Sequence, residues 1–219
     1  MTISENLKYF KAKLPKDVTL VAVSKTRTSN ELMEAYNIGQ RIFGENKIQE
    51  MEAKWQEMPK DVEWHMVGHV QRNKVKFMAP FVSLVHAVDS LRLLREINKE
   101  AKKHDRIIDC LLQIKIAEED SKFGMDKSDA AELMASEDIK NFKNVRIRGL
   151  MGMATFTEDE AQISKEFEKL KGIYDKFKIT YPELNVLSMG MSGDYQIAID
   201  HGSNMVRVGS AIFGEREYV

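Results

Sequence analysis

The chain has 219 residues, of which 43% are hydrophobic and 31% charged, a composition typical of a folded globular protein and not of a disordered one. Its 33 Lys and Arg residues nearly balance its 34 Asp and Glu residues, so the net charge of −1 disfavours a nucleic-acid partner. The chain has a single cysteine, Cys110, which predicts a reducing compartment. It has no apolar run near the ~20 residues of a membrane span and no signal pattern, which predicts a cytoplasmic location.

A short apolar strand follows an amphipathic opening helix that Thr2 and Glu5 can cap. The strand, Thr19-Leu20-Val21-Ala22-Val23-Ser24, carries no charge, suits a parallel sheet covered on both faces, and ends on Lys25. Partial desolvation there would lower the pKa of the ammonium group and make the amine a nucleophile toward carbonyls. The local sequence alone favours an ordinary surface lysine, so other parts of the chain must decide between the two interpretations.

Short apolar strands then alternate with helical patterns to the end of the chain. The predicted strands lie at about 18–24, 41–43, 62–67, 81–86, 107–116, 145–149, 185–188 and 205–208. Thr28 with Glu31 predicts one helix start, and Asp89 and Thr157 predict two more. Eight such units without a linker predict one α/β domain over residues 1–219, a (β/α)8 TIM barrel with an extra N-terminal helix. A doubly wound open sheet is the alternative, but no glycine fingerprint follows the first strand.

Polar residues collect at the predicted strand ends, which share one face of a barrel. The first four strands bring there Lys25, Glu45, Asn46, His65 and His86. The last two strands run into Gly190-Met191-Ser192-Gly193-Asp194 and Arg207-Val208-Gly209-Ser210. Glycine amides and serine hydroxyls in these two turns predict a phosphate site, with simple tight turns as the alternative.

A lysine beside a phosphate site has two main chemical interpretations. One is an aldolase-type enzyme acting on a sugar phosphate, and the other is a pyridoxal 5′-phosphate (PLP) site in which the lysine holds the aldehyde. Arg207 would reach the barrel mouth, where it could face a pyridine nitrogen and disfavour its protonation. A salt bridge inside the barrel is an equal alternative for Arg207.

Seven stretches together resemble one family. They are Ala22–Thr26, Phe43–Glu50, Trp64–Lys74, His86–Asp89, Gly149–Met153, Leu187–Asp194 and Val206–Gly214. In this order they resemble the pyridoxal-phosphate homeostasis protein family, which is similar to the N-terminal barrel of alanine racemase. Members of that family are cytoplasmic, mostly monomeric and without established catalytic turnover.

The resemblance implies that Lys25 forms an internal aldimine with PLP. It also implies roles for residues around the phosphate and the ring. The phosphate contacts would be Ser192, Gly193, Gly209 and Ser210. Arg207 would lie near the ring nitrogen, Asn46 and His65 would line the ring, and Met191 is expected in its apolar wall. Lys122 is a candidate second contact, and no metal site is expected.

The sequence favours a carrier over an enzyme. Racemisation needs an acid or base on each face of the cofactor, and Lys25 serves one face. Alanine racemase takes the opposite group from a second domain, for which a chain ending at Val219 leaves no length. We therefore expect a non-catalytic protein that buffers PLP and delivers it to apo-enzymes. The alternatives are a low-activity amino-acid racemase, with His201 or Tyr195 as base, and a sugar-phosphate lyase.

Overall fold

A computed structural model describes residues 2–118 and 124–215, and its strands form a closed barrel. All eight strands are parallel and pair in sequence order, with β8 closing onto β1. The strands are β1 (Thr19–Val23), β2 (Ile42–Glu45), β3 (Glu63–Met66), β4 (Val82–Val88), β5 (Ile108–Gln113), β6 (Val145–Met151), β7 (Val186–Ser188) and β8 (Met205–Val208). The predicted (β/α)8 barrel is confirmed, and the open-sheet alternative is wrong.

Helices surround the barrel and connect its strands. They are α1 (Ile3–Lys13), α2 (Ser29–Asn37), α3 (Ile48–Glu57), α4 (Val75–Met78), α5 (Leu91–Lys102), α6 (Lys127–Ala135), α7 (Glu137–Asn141), α8 (Glu160–Thr180), α9 (Tyr195–Asp200) and α10 (Ser210–Phe213). Within the described ranges, no helix combines the length and the apolar character needed to cross a membrane.

The helix starts show where local sequence signals hold and where they do not. The capping boxes predicted at the starts of α1 and α2 are both present. The other two predicted caps are wrong by one or two residues. Ser90, and not Asp89, accepts the hydrogen bond at the start of α5, and Asp159, and not Thr157, caps α8. Where several capping residue types stand together, the tertiary position of the helix selects among them.

The barrel interior is filled in two layers. An apolar cluster separate from the main core contains Val21, Leu84, Ala87, Leu111, Met151 and Met205. Because side chains alternate along a strand, the residues two positions after Leu84 and Met205 lie on the same inner face, nearer the carboxyl ends. These residues are His86 and Arg207, so a polar layer lies directly above the apolar one.

Gly149 on β6 provides a direct test of how closely the strands approach. A Cβ built on Gly149 would lie 1.7 Å from the carbonyl oxygen of Val186. We expect Gly149→Ala to lower the free energy of unfolding by at least about 2 kcal/mol, measured by urea denaturation, because backbone must move. Gly172→Ala in α8 is the matched control, since its Cβ meets no atom within 4 Å, and should gain about 0.5–1 kcal/mol. Equal shifts in the two variants would contradict this account of the β6–β7 contact.

Candidate functional site

A cavity of about 1210 Å³ opens at the carboxyl ends of the barrel strands. Eight of the nine residues predicted to bind a cofactor line it: Lys25, Asn46, Met191, Ser192, Gly193, Arg207, Gly209 and Ser210. The ninth, His65, is not one of the cavity-lining residues and is only 4% exposed. The closed barrel therefore gathers residues from both ends of the chain around one space.

Lys25 is carried by a tight turn directly after β1. The amide of Arg27 donates a 3.0 Å hydrogen bond to the carbonyl oxygen of Ser24, which closes the turn. Ser24 is fully buried, while Lys25 is half-buried in the cavity wall. The main chain on the amino side of the lysine is thus fixed in the protein, and the residue itself lines the cavity.

A buried charge cluster beneath this turn was missed by sequence reasoning. The Lys54 Nζ donates to the Ser24 carbonyl oxygen at 2.8 Å and to Oε1 of both Glu45 and Glu50 at 2.7 Å. Burial raises the pKa of Glu45 to about 6, although Lys54 acts in the opposite direction. Glu45 lies under the turn and not among the cavity-lining residues. The i,i+4 spacing of Glu50 and Lys54 was the available signal, but it also fits an ordinary exposed helix pair.

The turns after β7 and β8 are joined by one hydroxyl group. The Ser192 Oγ accepts hydrogen bonds from the amides of Gly209 at 3.2 Å and Ala211 at 3.4 Å. A Cβ on Gly209 would lie 3.1 Å from the Val23 carbonyl oxygen, so glycine allows this turn to approach β1 closely. The two amides converge on one oxygen position, which the Ser192 hydroxyl occupies, and Ser210 lies in the same cavity lining. A position of this kind suits an anionic oxygen.

Arg207 forms part of the cavity floor and is 5% exposed. Its Nη1 donates to the carbonyl oxygen of Ser188 at 2.9 Å and to its Oγ at 2.7 Å, and its Nη2 donates to the Gly152 carbonyl oxygen at 3.0 Å. Burial lowers the pKa of Arg207 to about 10, so the group is still charged at neutral pH. These hydrogen bonds go to neutral oxygens, and the carboxylate of Asp194, which also lines the cavity, acts on the pKa of Arg207 in the opposite direction to burial.

A chain of hydrogen bonds leads from Arg207 to His65. The Ser188 Oγ lies 3.2 Å from His86 Nδ1, and His86 Nε2 lies 3.1 Å from His65 Nδ1. An arginine only donates, so we assign the Ser188 hydroxyl as donor to His86, and His86 Nε2 as donor to His65. Burial lowers the pKa of His65 to about 3, and burial together with the neighbouring His65 and Arg207 lowers the pKa of His86 well below its usual value. Both imidazoles are therefore neutral, and His65 keeps its proton on Nε2.

Other candidate residues fall in different places. The loop after β6 lines the cavity from Thr155 to Glu158, and Phe156 in it is 93% exposed. Tyr195 packs on Phe10 with ring centroids 5.0 Å apart, and His201 Nδ1 contacts the carbonyl of the α9 residue Ile197. Neither Tyr195 nor His201 is among the described residues that line the cavity. Lys122 lies outside the described residues.

Known proteins share this fold and much of this sequence. A family model described as the alanine racemase N-terminal domain matches residues 1–217. A protein of Vibrio alginolyticus named pyridoxal phosphate homeostasis protein is 37% identical over 209 residues, 93% of this chain and 89% of that protein. PipY of Synechococcus elongatus, whose structure has PLP bound, is 34% identical with a TM-score of 0.89, over 97% of this chain and 100% of that chain. Alanine racemase of Clostridium difficile, at 15% identity and a TM-score of 0.82, covers 99% of this chain and 57% of that chain, and shows the fold alone.

The buried histidines predict a specific loss of stability in acid. As the pH falls below about 6.5, the unfolded chain binds protons on both imidazoles while the folded protein does not, so the folded state loses stability. Between pH 7.5 and pH 5 we expect each histidine to account for about 2 kcal/mol of this loss. Urea unfolding of His65→Asn and His86→Asn across this range should show a correspondingly weaker pH dependence than the natural chain. His104→Asn, at an exposed turn, is the control, and an unchanged slope in the two core variants would contradict the assignment.

Proposed function

The chain belongs to the alanine racemase N-terminal domain family and, within it, to the pyridoxal phosphate homeostasis proteins, and we propose that residues 1–219 form one domain that binds PLP and buffers or delivers it. The observation that carries the proposal is one cavity that combines a half-buried lysine, two convergent backbone amides and a buried arginine. An aldehyde, a phosphate and a pyridine nitrogen are the three groups by which PLP would be recognised there.

The residues present fit each of these groups. The Lys25 amine would add to the aldehyde carbon, with loss of one water, and so hold the ligand covalently. The turns of Ser192 with Gly193 and of Gly209 with Ser210 would surround the phosphate, one of whose oxygens would replace Ser192 Oγ as the acceptor of the Gly209 and Ala211 amides. When bound, PLP supplies a reactive carbonyl and an electron-withdrawing ring.

Arg207 would face the ring nitrogen from the cavity floor. A guanidinium that stays charged at neutral pH disfavours a second positive charge beside it, so the ring nitrogen would stay unprotonated. Without that proton the ring is a weaker electron sink, which suits holding the ligand more than transforming it. Asn46 and Met191, on the cavity wall, would contact the ring, and His65 would act from beneath through its hydrogen bond to His86.

The two bases considered for a racemase are not among the described residues that line the cavity, which favours the carrier. Tyr195 and His201, the two bases considered for the face opposite Lys25, are engaged with α1 and α9. A wide cavity with the exposed Phe156 at its edge leaves a bound aldehyde open to an acceptor amine. We therefore propose a non-catalytic monomer that makes transient contacts with PLP-dependent apo-enzymes.

A titration of the apo-protein with PLP tests the binding site. We expect an absorption band in the near-ultraviolet to violet for the natural chain and for Lys16→Ala, an exposed-lysine control. After gel filtration removes unbound PLP, which absorbs in the same region, Lys25→Ala should retain little of the band. It should bind PLP at least about tenfold more weakly, because the covalent bond is lost while the phosphate contacts remain. A band of unchanged intensity in Lys25→Ala would place the reactive amine elsewhere.

The choice between carrier and racemase can be tested with the same protein. Loaded protein should transfer PLP to an apo-enzyme, measured as recovered activity of that enzyme, and should not interconvert L- and D-alanine faster than free PLP. Racemisation well above the rate of free PLP, and abolished by Lys25→Ala, would contradict the carrier and support the low-activity racemase.

A further inference from the structure

The peptide groups on both sides of Lys25 are held by the same buried ion cluster. We propose that Lys54 and Glu50 of α3 are positioning residues, which fix the turn so that the Lys25 amine meets the aldehyde while the phosphate lies in the opposite turns. For the identity of the ligand this inference rests on the proposed function. The geometry of the turn itself is a property of the protein.

Lys54 holds the turn on the amino side of Lys25. Its ammonium group donates to the Ser24 carbonyl oxygen at 2.8 Å, and its side chain is 7% exposed. The same carbonyl oxygen accepts the Arg27 amide that closes the turn. Any shift of α3 relative to β1 would therefore be transmitted to the backbone that carries the lysine.

Glu50 holds the turn on the carboxyl side of Lys25. Its Oε1 accepts a 2.5 Å hydrogen bond from the Thr26 amide and a 2.7 Å hydrogen bond from Lys54 Nζ. Thr26 has a φ of 66°, a left-handed conformation that a β-branched residue strongly disfavours. Backbone strain of this kind persists only where the surroundings impose it, and the Glu50 carboxylate is the group that binds this amide.

Glu45 binds both Lys54 and Ser24, and its burial adds to the free-energy cost of forming the cluster. Its Oε1 accepts hydrogen bonds from Lys54 at 2.7 Å and from Ser24 Oγ at 2.6 Å. Its Oε2 is buried and, among the described residues, has no hydrogen-bond partner. A buried ion cluster is a poor source of stability compared with apolar packing. Its use here is to specify one backbone geometry, at the one strand end that carries the reactive amine.

The first experiment compares two cluster variants with two controls, one on α3 and one at the residue that precedes it. The cluster variants are Glu50→Ala and Lys54→Met, and the controls are Glu52→Ala and Lys47→Met. Each cluster variant should bind PLP about tenfold more weakly in the absorbance titration, from loss of a charge-assisted hydrogen bond to the turn. The controls should match the natural chain. Melting of each apo-protein shows which variants fold, and since Glu50 is partly exposed, Glu50→Ala tests the proposal even where Lys54→Met does not fold.

A second variant separates positioning from general stability. Glycine adopts a positive φ without strain, so Thr26→Gly in the Glu50→Ala background should restore most of the PLP affinity. A merely structural role of Glu50 would not respond to this change, and absence of recovery would overturn the inference. Equal affinity of the natural chain and Glu50→Ala would overturn it as well.

A measurement without PLP keeps the two proposals distinct. Trace acetylation of the apo-protein, read by mass spectrometry, reports the reactivity of Lys25 relative to Lys47. A loosened turn should expose the Lys25 amine and raise its relative labelling several-fold in Glu50→Ala, with return toward the natural value in the glycine double variant. If the natural chain gave no PLP band, the proposed function would fail while this labelling still decided the role of the cluster. Unchanged labelling in Glu50→Ala would reject that role.

Discussion

Closure of the barrel by β8 against β1 is the constraint on which the site depends. The register pairs Val21 with Arg207 and Ala22 with Val208, so the turns after these two strands emerge side by side. Lys25 and Gly209 are far apart in the sequence, yet this pairing sets the lysine beside the amides of the last turn. Glycine at 209 is what allows the approach, since a Cβ there would press on the Val23 carbonyl oxygen at 3.1 Å. An open sheet of the same strands would leave these groups on opposite edges.

A charged group in the barrel mouth requires compensation from beneath. Arg207 is almost fully buried, and its hydrogen bonds to Ser188 and Gly152 replace the water it has lost. His86 and His65 continue this polar layer, and the positive charge of Arg207 is one reason why the pKa of His86 is depressed. Neutral histidines carry hydrogen bonds across the barrel without adding a second charge. The hydrogen bonds that hold the arginine thus go to neutral groups, while the Asp194 carboxylate, which also lines the cavity, favours its charged form.

The fold was largely predictable because it depends on local signals. Eight apolar strands, and capping boxes such as Thr28 with Glu31, are visible in the sequence, and parallel strand ends must share one face. Most of the candidate site follows from that geometry. The contacts of Lys54 and Glu50 were not predictable, because they depend on how α3 packs against β1. The position of His65 on β3 was not predictable either. It places the side chain against His86 beneath the cavity and not in the cavity wall.

The groups that would hold a ligand in this site are themselves held by hydrogen bonds to neighbouring elements. On the lysine side, two peptide groups are bound by a buried ion cluster, and on the phosphate side, one serine hydroxyl joins two turns. The lysine turn follows β1, and the other two turns follow β7 and β8, which come next around the barrel. The loop after β6, which carries the exposed Phe156, is held in turn by hydrogen bonds from Thr155 to Glu166 of α8. For the proposed carrier these fixed groups would serve binding, since proton transfer on both faces of a ligand would need an acid or base fixed on each face. Under the proposed function, the lysine would hold the aldehyde and the two turns would hold the phosphate, and both contacts would be set by main chain that the fold positions in advance.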